Sequence, residues 1–325
     1  MQAPLEGIRI VDLSIALAAP LATHLLGHFG ADVIKVESPA GDIARGAGGP
    51  CRNPGMNPFV LHTSRCKRSL VLNLKQEAAR EALYRLVEGA DVFVHNLRPD
   101  AAARLGVGYE ALRARNERLV YCAVVGFGSR GRYAGQPAYD DTLQGATGLP
   151  WLLQQMAGGE PQLVPSAVID RVTGLSAFGQ IVTALLARER QGRGQAIEVP
   201  MFETMAHFVL SDHLFLKSFV PPLGPSGHFR LLDPNRRPYR TLDGHLCVLP
   251  THDKHWSGLF ALAGRPELAD DPRFRDMPSR MHNVRALYQI VSDAMATRTT
   301  AAWLADLRAA DIPCGPVNDL ESMIA

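Results

Sequence analysis

Six short apolar runs interleaved with helix-patterned stretches fill the first two hundred residues: "IRIVDL", "DVIKVE", "SLVLNL", "DVFVHNL", "LVYCAVVGF" and "AIEVPMF". Strands that alternate with helices form a parallel sheet, because each crossover helix returns the chain to the same end. Runs without polar alternation suit strands covered on both faces. Between them, "LAAPLATHLLGHFG" predicts a helix closed by Gly30, and "QEAAREALYRLVEGA" and "YEALRARN" predict two more. The expectation is an α/β fold, with an open, parallel, Rossmann-like sheet and crossover helices in a large domain over residues 1–202.

The longest helical pattern is "SAVIDRVTGLSAFGQIVTALLARERQGRGQ". Val172, Leu175, Phe178, Val182 and Leu185 recur at helical spacing and predict one buried face. Arg188 and Arg190 suit the C-terminal end of the dipole, and Gly192 supplies a left-handed cap. Asp170 stands at the helix entrance, where a carboxylate ordinarily caps first-turn N–H groups. A helix and a Pro/Gly-rich linker are expected over residues 203–226. A smaller α+β domain is expected over 227–325, opening on a hairpin around Asp243-Gly244.

Several function classes lose support. A net charge of +2 among 325 residues is too mild to make nucleic acid or an anionic membrane the main partner. No apolar run spans a bilayer, and "MQAPLEGIRIVDLS" has no signal-peptide pattern, so a cytoplasmic location is expected. Cys51, Cys66, Cys122, Cys247 and Cys314 are scattered and suggest neither a disulfide framework nor a structural metal site. "IVDLSIALAAPL" lacks G-x-G-x-x-G, so a dinucleotide pyrophosphate has no close backbone approach. Walker A, G-x-S-x-G and H-E-x-x-H patterns are also absent.

The cations are more informative. Arg65, Lys67, Arg68 and Lys75 surround one expected strand, and Arg98 and Arg104 follow another. Strand ends are where open α/β sheets bind ligands, and clustered Arg and Lys suit phosphates. A solvated surface is the alternative for each.

"PLEGIRIVDLS", "FGADVIKVESPAGD", "CKRSLVLNLK", "NLRPDAAARLGVGYEAL", "GFGSRGRYAGQPAYDDTLQGATG", "ARERQGRGQAIEVPMFE", "LDGHLCVLP", "DDPRF" and "AADIPCGPV" occur in that order. With these stretches the chain resembles the family III CoA-transferases, a group that includes formyl-CoA and carnitine CoA-transferases and is similar to the α-methylacyl-CoA racemases. The resemblance implies an enzyme that moves CoA from an acyl-CoA donor to a free carboxylic acid. Asp170 is then the nucleophile, passing through an aspartyl anhydride and an aspartyl-CoA thioester. CoA is a substrate, and no tightly bound cofactor or metal is implied. Tyr139, Asp140, Ala16, Leu17 and Ala18 are implied to line the site. Leu72, Lys75, Asn96, Leu97, Arg98 and Arg104 match the CoA-binding pattern.

The racemase branch carries a His where this chain has Tyr139, and a phenol is a poor proton shuttle near neutral pH, so transfer is expected over racemisation. A non-catalytic CoA-binding protein is the remaining alternative. The family implies an interlocked homodimer, although its members usually continue well beyond the "PCGPV" motif with a segment returning to the large domain. Arg236 and Arg237 would favour a dicarboxylate if they reach the site. No glycine-rich loop that would shield intermediates from water is evident in "LGPSGHFRLLDPNRRP".

Overall fold

The computed structural model describes residues 2–47 and 49–324. The chain divides into two compact units, Met1–Trp151 with Pro161–Ser211, and Leu152–Glu160 with Asp212–Ala325.

The first unit is built on six parallel strands: β1 (Arg9–Leu13), β2 (Asp32–Glu37), β3 (Lys67–Val71), β4 (Val92–His95), β5 (Val120–Val125) and β6 (Gln195–Pro200). Their order is β3-β2-β1-β4-β5-β6. The register places Val11 between Ile34 and Phe93. Among the described residues the helices up to His213 are, in chain order, α1 (Ala18–His28), α2 (Ala44–Ala47), α3 (Pro58–Ser64), α4 (Glu77–Glu88), α5 (Pro99–Arg104), α6 (Tyr109–Arg113), α7 (Asp140–Ala146), α8 (Leu149–Ala157), α9 (Val168–Gln191) and α10 (Met201–His213), most of α8 belonging to the second unit. On one face Val11, Leu13, Phe93 and Tyr121 pack with Leu83, Val87, Ala102 and Leu112 from α4, α5 and α6. On the other, α1 and α9 lie together.

The seam between α1 and α9 differs from the expected apolar stripe. The buried residues of α9 include Thr173, Gly174, Ala177, Ile181 and Ala184, whereas Leu175 is 58 % exposed. Small side chains win because the two backbones approach closely. A Cβ on Gly174 would sit 2.7 Å from the Ala18 carbonyl oxygen. At the far end Gly192 takes a left-handed φ of 75° and donates its N–H to the Arg188 carbonyl, as its sequence position predicts.

Beneath α1 lies a buried ion pair. Lys67 Nζ donates to Asp12 Oδ2 at 2.9 Å, and also to Thr23 Oγ1 and the Pro20 carbonyl. Both side chains are almost wholly excluded from solvent. Arg68 instead pairs with Asp32 at the N-terminal end of β2. These two cations of the "SRCKRSLVLNLK" cluster are therefore corrected: β3 begins at Lys67, so both stand at the end of the sheet opposite to the one where ligands bind.

In the second unit β7 (Tyr239–Arg240), β8 (His245–Val248) and β9 (Cys314–Pro316) form an antiparallel sheet. The turn closes where Asp243-Gly244 predicts it, with the Thr241 N–H donating to the Gly244 carbonyl. Helices α11 (Asp253–Leu262), α12 (Met277–His282), α13 (Val284–Met295), α14 (Thr300–Ala309) and α15 (Leu320–Ile324) belong to the same unit. Its core gathers Trp256, Phe260, Phe274, Leu287 and Trp303.

Candidate active site

The strand order reverses between β1 and β4, and at such a switch point the loops leaving the two C-terminal ends diverge and open a crevice. A cavity of about 340 Å³ occupies it, walled by residues 15–18 after β1, 96–99 after β4, and parts of the 124–139 segment after β5. Ile43, Asp170, Glu198 and Met201 complete the wall, so the cavity lies wholly within the first unit.

Asp170 is the third residue of α9 rather than its cap, because the helix starts two residues earlier, at Val168. The capping carboxylate is Asp140. Buried at the start of α7, it accepts the Asp170 N–H at 3.0 Å through Oδ2 and the Gln144 side-chain amide at 2.7 Å through Oδ1. Gln144 in turn accepts the Val164 N–H at 2.9 Å, which fastens the chain entering α9. The Asp170 carboxylate itself accepts no hydrogen bond from the described residues. Burial, then the charge of Asp140, pushes its pKa up to about 6, with Arg171 opposing. The group is thus largely ionised at neutral pH and has no donor among the described residues, which keeps its lone pairs available to an electrophile.

The wall opposite is held at successive residues. The Asn96 side chain accepts the Ile15 N–H at 2.9 Å and donates to the Ile15 carbonyl at 2.8 Å. Next to it, His95 is kept neutral, its pKa pushed down to about 4 by burial. Its Nδ1 accepts the Leu97 N–H at 3.1 Å, so Nε2 carries the proton and donates to the Tyr121 hydroxyl at 2.6 Å. After β5, the Gly128 N–H donates to both oxygens of Glu203, and the Ser129 N–H donates to Glu198 at 2.9 Å. Glu198, Glu203, His95 and Asp42 escape sequence reasoning, since an isolated acid or imidazole beside a strand carries no spacing signal.

Of the residues singled out from sequence, Asp170, Tyr139, Ala16, Leu17, Ala18, Asn96, Leu97 and Arg98 share the cavity wall. Tyr139 is 68 % exposed there. Asp140 stands behind Asp170 rather than on the wall. Leu72 packs half-buried against the core, Lys75 lies exposed in the turn before α4, and Arg104 is the exposed last residue of α5. Arg236 and Arg237 belong to the second unit, where they border a cleft with Tyr239 and Cys247.

The sequence profile of CoA-transferase family III matches residues 5–325. The chain belongs to this family. Family III relatives include the succinate–glutarate CoA-transferase of Agrobacterium fabrum, 33 % identical over 99 % of this chain and 82 % of its own length. The acetyl-CoA:oxalate CoA-transferase of Acetobacter aceti is 34 % identical over 98 % of this chain and 81 % of its own. Among solved structures, Rv3272 of Mycobacterium tuberculosis superposes with a TM-score of 0.85 at 29 % identity, covering 99 % of this chain and 86 % of that one. A CAIB/BAIF family protein from Brucella suis gives 0.79 at 32 % identity, covering 100 % of this chain and 86 % of that one. As a member of family III the chain is a CoA-transferase, with CoA thioesters and carboxylic acids as its substrates.

Proposed function

We propose that this CoA-transferase uses Asp170 as a covalent nucleophile and accepts a dicarboxylic acid. The observation that carries the reading is a carboxylate on the cavity wall that accepts no bond from the described residues and ionises near pH 6. Its oxygen attacks the donor thioester carbonyl, the C–S bond breaks, and CoA leaves as a thiolate, giving a mixed anhydride. The thiolate then attacks the Asp170 carbonyl of that anhydride, releasing the donor acid and forming an aspartyl-CoA thioester. The acceptor carboxylate displaces CoA again to form a second anhydride. CoA thiolate attacks its acceptor-side carbonyl, which yields the new thioester and restores the Asp170 carboxylate.

Arg98 at the cavity, with the exposed Lys75 and Arg104, supplies cations for the CoA phosphates, and Leu72 and Leu97 supply apolar surface. The dicarboxylate preference is supported by the names of the A. fabrum and A. aceti relatives. No helix among the described residues is long and apolar enough to cross a membrane, which fits a cytoplasmic enzyme.

The test is mass spectrometry after incubation with succinyl-CoA and with acetyl-CoA, followed by hydroxylamine trapping. The expected product is a hydroxamate on the Asp170 peptide. Trapping at another carboxylate, or none with either donor, would overturn the covalent reading.

The working unit in this proposal is an interlocked homodimer. It gives a partner to apolar side chains left open on each unit, Leu186 at 54 % and Phe208 at 55 % exposure on the first, Val220 at 99 % and Leu223 at 68 % on the second. Sedimentation should give twice the chain mass of 35.3 kDa. A monomer at micromolar concentration would rule the dimer out.

A further inference from the structure

Ala16 adopts a φ of 65°, a left-handed conformation that alanine ordinarily avoids. It lies on the wall that it shares with Asp170, between Ile15 and Leu17. What holds it there comes from a distant segment. The Ala16 N–H donates to Asp42 Oδ1 at 2.9 Å, and the same oxygen accepts the Ala44 N–H at 2.9 Å. The other oxygen of Asp42 pairs with Lys35 Nζ at 2.9 Å, and Lys35 also donates to the Ser14 carbonyl at 2.7 Å. With the Asn96 grip on Ile15, three consecutive residues are each held by a side chain.

The pair is buried, Lys35 at 3 % and Asp42 at 6 % exposure. Apolar side chains of matching volume serve stability as well as a buried ion pair does, so stability alone does not explain its presence. The strained peptide at its tip does. Asp42 is itself oriented, its N–H donating to Glu37 Oε1 at 3.1 Å while Arg45 clamps the same carboxylate at 2.8 and 2.7 Å.

We propose that Asp42, anchored by Lys35, is a positioning residue that fixes the left-handed Ala16 peptide and thereby sets the wall against which the thioester meets Asp170. The inference rests on the proposed role of Asp170. Asp42 touches no reacting atom. It acts through the Ala16 N–H, so its loss misplaces the reacting groups after binding and lowers kcat rather than raising KM.

Two neutral double variants isolate the acceptor. D42N/K35M keeps an oxygen for the Ala16 N–H, whereas D42L/K35M removes it, and neither leaves an unpaired charge. D42L/K35M is expected to lose about 100-fold in kcat, the scale of an ångström-sized misplacement, with KM for acyl-CoA within about threefold. D42N/K35M is expected to stay within about fivefold of the native kcat.

Should D42L/K35M fail to fold, Ala16→Pro carries the test with the ion pair intact. Proline forbids the left-handed φ and removes the N–H, so the same loss of kcat is expected. Equal kcat in the two double variants, undiminished kcat in Ala16→Pro, or an effect confined to KM would overturn the proposal. An Asp170 that is never acylated in the native chain would instead overturn the reading on which it rests.

Discussion

Asp170→Asn should turn over acyl-CoA about 10⁴-fold more slowly than the native chain, or worse, and leave no trapped adduct. The amide is nearly isosteric, and the Asp170 N–H remains bonded to Asp140, so the start of α9 is unchanged. What is lost, on the proposed mechanism, is the oxygen nucleophile. In the native chain the rate of acylation should rise with pH and level off above about 6, where the raised carboxyl ionises. A flat profile between pH 5 and 8 would remove Asp170 as the titrating nucleophile.

The same substitution should stabilise the protein. Folding raises this carboxyl from 3.8 to about 6, so its contribution is full below pH 3.8 and is lost as pH rises through 6. At pH 7 the native chain therefore carries a penalty that asparagine relieves, about 1–2 kcal/mol once solvent screening is allowed for. The gain should disappear near pH 4. A variant that loses activity without this pH-dependent gain would contradict the electrostatic picture, and urea unfolding at the two pH values decides it.

Lys67→Met should cost the first unit about 3–5 kcal/mol in urea unfolding at pH 7, because it leaves Asp12 buried with its main counter-charge removed. Burial alone would raise the Asp12 carboxyl, but Lys67 and Lys35, with the hydroxyls of Ser14 and Thr23, hold it down to about 2. That depressed value contributes stability above pH 3.8 that is lost as pH falls toward 2. The native and Lys67→Met curves should therefore converge in acid, where the orphaned carboxyl is protonated. Adding Asp12→Asn to Lys67→Met should recover most of the loss, since no buried charge remains unpaired. If the double variant is as unstable as the single one, packing of the lysine stem rather than its charge carries the effect.

The centre of the sheet was legible because β1 and β4 are buried on both faces, so "IRIVDL" and "DVFVHNL" advertise themselves as uninterrupted apolar runs. The turn at Asp243-Gly244 and the cap at Gly192 were legible because each needs a backbone few residues provide. β9 was not, because its three residues, Cys-Gly-Pro, have neither length nor alternation. Nor was the buried face of α9, since a seam chosen for closeness selects Gly174 and Ala177 rather than large apolar side chains. Asp170 was conspicuous as a charge beside an apolar helix. Its cap, Asp140, lies thirty residues away and is identified only by the fold. Lys67 was misleading for a related reason: a lysine in a basic cluster looks solvated until β3 places it against Asp12.

The wall of the first-unit cavity carries two carboxylates, Asp170 and Glu198, and one guanidinium, Arg98. On the proposed chemistry this imbalance dictates who may enter first. A free acid approaching the resting chain brings a third negative charge into a confined space, whereas a thioester carbonyl brings none at its reacting end. Once Asp170 is acylated, as the anhydride or the CoA thioester of the proposal, its charge is gone, and the incoming acid meets one fixed carboxylate, Glu198, instead of two. On that proposal the order of entry, thioester before free acid, is set by the fixed charges of the wall, like a turnstile that the first visitor releases for the second.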